Sequence, residues 1–272
     1  LDSKVRVPVS QAGGVWYVNG DDLYGLSDEE STITIPVKSD YDYTVDMPAW
    51  ITGEKVKEGY NFTLTENTTG NARKGTVIFK SQKGTKEITF VQFGVNDIAG
   101  TYEATYSTFG EGDDWVSETV KIELLQDEEN EAVFYADGLS SIRGVVLPLK
   151  FDGETYQLSA LNGQYLGFIE SQKWYLYTIV RSEAGYVHAD TSLSYPAIAE
   201  LDVDDEELMP FFPFKDKKGF SFTGETGTIK SFIDAIGVYV FASKSPTFGN
   251  NNNLGYYDIF KDLSIKKIKA DH

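Results

Sequence analysis

The stretch 71-NARKGTVIFKSQKGTKEITFVQFG-94 decides how this chain reads. GTVIFKS and KEITFVQFG are rich in β-branched and aromatic residues and flank a turn at Gly84, which is the pattern of a β-hairpin. The second run ends on Val91-Gln92-Phe93-Gly94, and "DIAGTYEATY" then begins a new series of strand-like runs. Two β domains therefore meet here, residues 1–95 and residues 96–272, joined through Val95–Asp97.

Upstream of the hairpin, KVRVPVS, STITIPVKS, YDYTVDM, WITGEKV and YNFTLTEN alternate apolar and polar residues, with turn formers at Asp40, Pro48, Gly59 and Gly70 between them. Strands at a spacing of about 8–12 residues without a helical period predict a β-sandwich. Downstream, GTYEATYSTFG, WVSETVKIELLQ, EAVFYADGL, WYLYTIVRS, SFIDAIGVYVFAS and YYDIFKDLSIKKIK read as further strands. A long antiparallel meander tends to close on itself and so remove its edges. The single helix candidate is DDEELMPFF, with Asp204 as N-cap and Pro210 and Pro213 limiting it to a turn or two. PFFPF itself reads as a connection that caps a barrel end or forms an exposed surface.

Composition narrows the function classes. The chain has 272 residues, 14% of them aromatic, and no cysteine, so disulfides and thiol chemistry are absent. Its net charge of −18 is unevenly spread. Residues 1–95 carry 10 Lys+Arg against 13 Asp+Glu, and residues 96–272 carry 14 against 29, so the domains stand at −3 and −15. Such a surface repels phosphate backbones and excludes nucleic acid as the expected partner. No apolar run is long enough to span a bilayer.

Residues 22–95 resemble a BACON domain, the immunoglobulin-like module of Bacteroidetes carbohydrate-utilisation proteins. The likeness rests on ITIPVKSDYDYTV, on PAWI with Trp50, on the Arg73–Gly75 entry to GTVIF, and on the closing KEITFVQFG. Many members carry a tryptophan in the second strand, where this chain has Tyr41 or Tyr43. Residues 96–272 are similar to the calycin-like (lipocalin-like) barrels of Bacteroidetes lipoproteins, on the strength of GTYEATY, VKIELLQDEENEAVFY and LNGQYLGF. The expected fold is all-β, an N-terminal immunoglobulin-like sandwich followed by a calycin-like antiparallel barrel. The resemblance implies a non-catalytic, exported lipoprotein of the outer membrane, on its periplasmic side or the cell surface, anchored by a lipid outside this sequence. It implies binding of poly- or oligosaccharide. The alternative is a spacer or an interaction subunit that contacts other outer-membrane proteins.

The residues that carry chemistry agree with a binding role more readily than with catalysis. Of the two histidines, His188 has Asp190 on the same strand face, yet no G-x-S-x-G elbow accompanies them. The acids at Asp202, Asp204 and Glu206 fail the spacing of a calcium loop, whose sixth position here is Glu207 and whose twelfth is Pro213. No metal or cofactor is expected, and no catalytic residue is assigned. Saccharide binding uses flat rings beside carboxylates and amides. On that chemistry the candidates are Trp115 with Asp113 and Asp114, Trp174 with Tyr175, and Asn251, Asn252 and Tyr256 of the amide-rich stretch FGNNNNLGYY. Trp50 is expected in the core, and Trp16 and Tyr17 are expected to pack between domains.

Overall fold

The computed structural model describes residues 14–224, 227–249 and 251–269, with Asp113 described by its backbone alone. The KVRVPVS strand, Gly13, Asn250 and His272 lie outside the described residues. The chain divides into two compact units. One runs to Asn67 and resumes over Arg73–Phe93, and the other holds Thr68–Ala72 and the chain from Gly94 onward. Among the described residues all regular structure is strand, apart from short 3-10 turns at Val95–Asp97 and Glu111–Asp113.

The first unit contains β1 (Trp16–Val18), β2 (Leu23–Leu26), β3 (Ser31–Ser39), β4 (Tyr43–Asp46), β5 (Ile51–Val56), β6 (Gly59–Leu64), β7 (Arg73–Ser81) and β8 (Gly84–Gln92). They form two four-stranded sheets, in the orders β1-β3-β6-β5 and β2-β8-β7-β4. Every pairing is antiparallel except that of β2 with β8, where Leu23 to Leu26 run alongside Thr89 to Gln92. The alternation seen in the sequence is the reason for the core. Ile35, Ile51, Phe62, Leu64, Val77, Phe79, Ile88 and Phe90 face inward and are fully buried, each stabilising the unit by about 1.5–3 kcal/mol. Phe62 meets Phe79 edge-on at 5.8 Å.

The Arg-x-Gly entry has a packing explanation. A Cβ on Gly75 would stand 2.7 Å from Cζ2 of Trp50 and 2.6 Å from Cγ of Pro48, so only glycine lets the indole lie against β7. The Arg73 guanidinium covers the other part of that ring, 4.4 Å from its centre. Arg73 then donates from Nε to Oε1 of Gln92 (2.9 Å) and from Nη2 to the carbonyl of Thr65 (2.6 Å). Gln92 is fully buried and donates its own amide to the Thr65 and Glu29 carbonyls. Trp50, Arg73, Gly75 and Gln92 thus form one stapled assembly, with Trp50 part of the core periphery. Trp16 packs on the core of this unit, against Tyr43, and Tyr17 is exposed.

The second unit contains β9 (Gly100–Phe109), β10 (Trp115–Gln126), β11 (Val133–Asp137), β12 (Leu147–Asp152), β13 (Gln157–Leu161), β14 (Tyr165–Ile169), β15 (Trp174–Ser182), β16 (Val187–His188), β17 (Ser194–Ile198), β18 (Phe211–Pro213), β19 (Phe220–Gly224), β20 (Gly227–Ser231), β21 (Ile233–Phe241) and β22 (Asn253–Lys267). One sheet runs β14-β15-β21-β22-β9-β10-β11-β12-β13-β17 and curls into a half-barrel. β16 adds to β15, β18 pairs with β22, and β19–β20 form a separate hairpin. Single bridges also join Ala197 to Phe214 and Glu200 to Phe211. The concave side is filled by Tyr102, Ala104, Ile122, Leu124, Phe134, Leu149, Phe151 and Leu158, all buried.

Two local expectations are corrected here. DDEELMPFF forms no helix. Asp202, rather than Asp204, accepts a backbone N–H, closing an Asx turn onto Asp204, and the segment continues as bends before Pro210. PFFPF is neither a cap nor an exposed surface but the strand β18. Its alternate residues Phe212 and Phe214 are buried against Tyr102 (6.4 Å) and Tyr195 (5.5 Å). Pro213 is tolerated because its neighbours carry the ladder, Phe214 donating to Leu263 and Lys215 to Pro196.

Candidate functional site

β22 is the element that assembles the site. It pairs with β21 along its first half and with β9 along its second, and the register shifts between Lys261 and Ser264. Asp262 takes a left-handed φ of 51° at this bulge. Bulges bend a strand and re-aim its side chains. Just before the bend, register alignment carries one line across five strands: Arg181 on β15, Ala235 on β21, Lys261 on β22, Ser107 on β9 and Ser117 on β10. Apart from the two cations the line is made of small residues, Ala235 between them and Ser107 and Ser117 beyond, so the side chains of Arg181 and Lys261 have room to lean over it.

They converge on Trp115. The indole pairs across β9–β10 with Phe109, ring centres 4.5 Å apart, and both rings are exposed. The Arg181 guanidinium lies 5.4 Å from the indole centre and the Lys261 ammonium 5.6 Å. Asp234 supplies the counter-charge. It accepts from Nη1 of Arg181 at 2.7 Å and stands 4.0 Å from Lys261. Asp234 is 7% exposed, and its Oδ1 is buried with no partner among the described residues. Burial pushes its carboxyl above the usual aspartate value, against the opposing pull of Arg181 and Lys261. Lys261 also pairs with the solvent-exposed Asp262 at 2.5 Å.

The sequence-derived candidates fall at several places. Trp115 is in this cluster. Asp114 is exposed beside it, with its carbonyl accepting the N–H of Gly110 (2.8 Å), and the side chain of Asp113 lies outside the described set. Tyr256 borders the cluster. Its ring lies over Gly237, where a Cβ would be 2.9 Å from Cδ1, and its hydroxyl donates to the carbonyl of Ile179. Trp174 and Tyr175 do not form one platform, because successive strand residues point to opposite faces. Trp174 meets Tyr257 edge-on at 6.2 Å, whereas Tyr175 lies 4.5 Å from Phe168. The amides are engaged within their own loop. Asn252 donates to the carbonyls of Ser245 (2.8 Å) and Thr247 (2.9 Å), and Asn251 holds a turn at φ 61°.

The remaining sequence candidates are also placed. His188 sits between Phe220 and Phe222, 4.8 and 4.5 Å away, and its Nε2 is 3.5 Å from Oγ of the fully buried Ser182. Asp190 turns away to accept the backbone N–H of Ser192. Among the described residues, no three His, Cys, Asp or Glu side chains converge as a metal site. Two surface clefts, of about 540 and 420 Å³, lie elsewhere, one beside Glu200, Asp205 and Lys266 and the other beside Gln157, Lys215 and Lys218.

Arg181, Asp234 and Lys261 went unrecognised in the sequence. A signal existed for two of them. Asp234 interrupts the apolar run SFIDAIGVYVF, and Arg181 ends YLYTIVRS, and a charge inside a buried strand demands a partner. Comparison of the chain with protein-family models, with curated proteins and with solved structures finds no match to any of them.

Proposed function

We propose that this protein is a non-catalytic carbohydrate-binding protein, exported and held at the outer membrane through a lipid outside this sequence. The observation that carries the binding reading is the pair of exposed rings, Trp115 and Phe109, flanked by Arg181, Lys261 and a buried carboxylate. Planar rings receive the apolar face of a sugar, and fixed charged groups around them receive its polar substituents. Cellular location and anchoring rest on the BACON-like sequence features alone.

The finer architecture belongs to the same proposal. Two four-stranded sheets enclosing one core support an immunoglobulin-like sandwich for the first unit. For the second unit, β18 is bonded on one side to β22 and on the other, through the Ala197–Phe214 and Glu200–Phe211 bridges, to the β17 segment. That linkage supports an eight-stranded ring, β22-β9-β10-β11-β12-β13-β17-β18, of the calycin kind, with β14, β15 and β21 as an attached wing. Its packed interior leaves the outer face as the place for a ligand, where β9, β10 and β22 of the ring adjoin β21 and β15 of the wing.

A glycan array probed with the full chain and with Trp115→Ala tests the function. Binding that the substitution lowers at least tenfold supports it. Absence of binding to neutral and acidic glycans alike removes it. An interaction subunit would then stand first, a reading favoured by the exposed Tyr165 and Phe168 on the sheet-edge strand β14.

A further inference from the structure

We infer that the saccharide bound at Trp115 is acidic, a uronate-containing oligosaccharide whose carboxylate is received by Arg181 and Lys261. The inference rests on the carbohydrate-binding reading above and specifies its ligand.

The argument is one of unspent donors. Arg181 commits Nη1 to Asp234, while its Nε and Nη2 have no acceptor among the described residues. Its side chain is 20% exposed, so solvent reaches the guanidinium without surrounding it. A planar guanidinium in that state is matched by a carboxylate, which can take two parallel N–H donors. Lys261 adds a second cation beside the same indole, and its close partner Asp262 is 66% exposed, a pair that solvent weakens and a ligand displaces at little cost. The buried Asp234 balances one of the two cations and is held in place by both. A neutral sugar would stack on the rings and leave the guanidinium edge unused, and an acidic one uses both.

The convergence runs against the composition of the chain. The second sequence half stands at 14 Lys+Arg against 29 Asp+Glu, yet two cations meet at one exposed tryptophan. The overall charge of −18 does not bar an anionic ligand, because exposed charges beyond about 8 Å are screened at physiological ionic strength and direct contacts are not.

The test is calorimetric titration of the full chain with trisaccharides of galacturonate, glucuronate and mannuronate, each beside its methyl ester, which keeps the sugar and removes the charge. At least one acid is expected to bind about tenfold or more tightly than its ester, the size of a charge-assisted hydrogen bond. Lys261→Gln leaves the Arg181–Asp234 pair intact and is expected to reduce that ratio several-fold, and Arg181→Met is expected to abolish it. Ester and acid binding equally, or a ratio unmoved in Lys261→Gln, would overturn the acidic assignment while leaving carbohydrate binding in place. Failure of all six ligands and of the neutral glycan array together would overturn both.

Discussion

Removing Asp234 should cost more than removing the whole ion pair it belongs to. At 2.7 Å the attraction to Arg181 is worth about 6 kcal/mol at an effective dielectric of 20. Taking the two charges out of water costs several kcal/mol each. The raised Asp234 carboxyl shows that desolvation outweighs the pull of its cations. Asp234→Ala leaves Arg181 and Lys261 facing each other without a counter-charge, and we expect a loss of about 3 kcal/mol, as for other broken buried pairs. Arg181→Met leaves the carboxylate beside Lys261 and should cost a similar amount. The double substitution removes both charges and should cost less than either single change, giving a coupling energy above about 3 kcal/mol. Urea unfolding at neutral pH, followed by circular dichroism, measures all four corners of the cycle. A single-substitution loss below about 1 kcal/mol, or a double loss equal to the sum, would refute the reasoning. A pH signature accompanies it. Because the folded-state value is raised, the native protein binds the extra proton, so this contribution is complete below the ordinary value of 3.8 and is lost as pH rises through the raised one. Asp234→Asn should flatten that dependence.

Gly75→Ala forces a methyl to within 2.7 Å of the Trp50 ring, so the first unit should lose about 1–3 kcal/mol, with a change in tryptophan emission at equilibrium. His188 is half-buried between two phenylalanines, and desolvation lowers its basicity more than Asp190 raises it. Its contribution to stability is therefore full above 6.5 and declines as pH falls below that value, and thermal melts of His188→Phe should show a shallower acid slope. Asn252→Ala deletes the amide donors to Ser245 and Thr247 and should cost about 1–2 kcal/mol, with hydrogen exchange accelerated over residues 245–252. Saccharide affinity should be unchanged, and a tenfold loss would return Asn252 to the ligand site.

Strand alternation accounts for how much of the architecture could be read directly. STITIPVKS carries its inward residues at every second position, and burial follows that period in β3; in β8 it follows the period as far as Phe90, after which Val91 and Gln92 are both buried as well. Trp50 was legible as a packing residue because it follows Pro48 and precedes a strand, whereas the approach of Gly75 to its ring came only from the fold. PFFPF was misread because two prolines resemble a connection. Only its place between β22 and β17 makes a strand possible, since the flanking N–H groups find acceptors there.

The sequence alone determined what depends on neighbours along the chain: the all-β class, the lack of any cysteine thiol, and the standing of Trp115, beside two acids, as a candidate ring. Tertiary structure alone decided what surrounds that tryptophan. Arg181, Asp234 and Lys261 stand far apart in sequence and meet through the pairing of β15, β21 and β22 and the bulge at Asp262. No local pattern encodes such a meeting, because register between strands is set by which faces the core buries and by where a ladder slips. The same register separates Trp174 from Tyr175, adjacent in the chain and on opposite faces of the sheet.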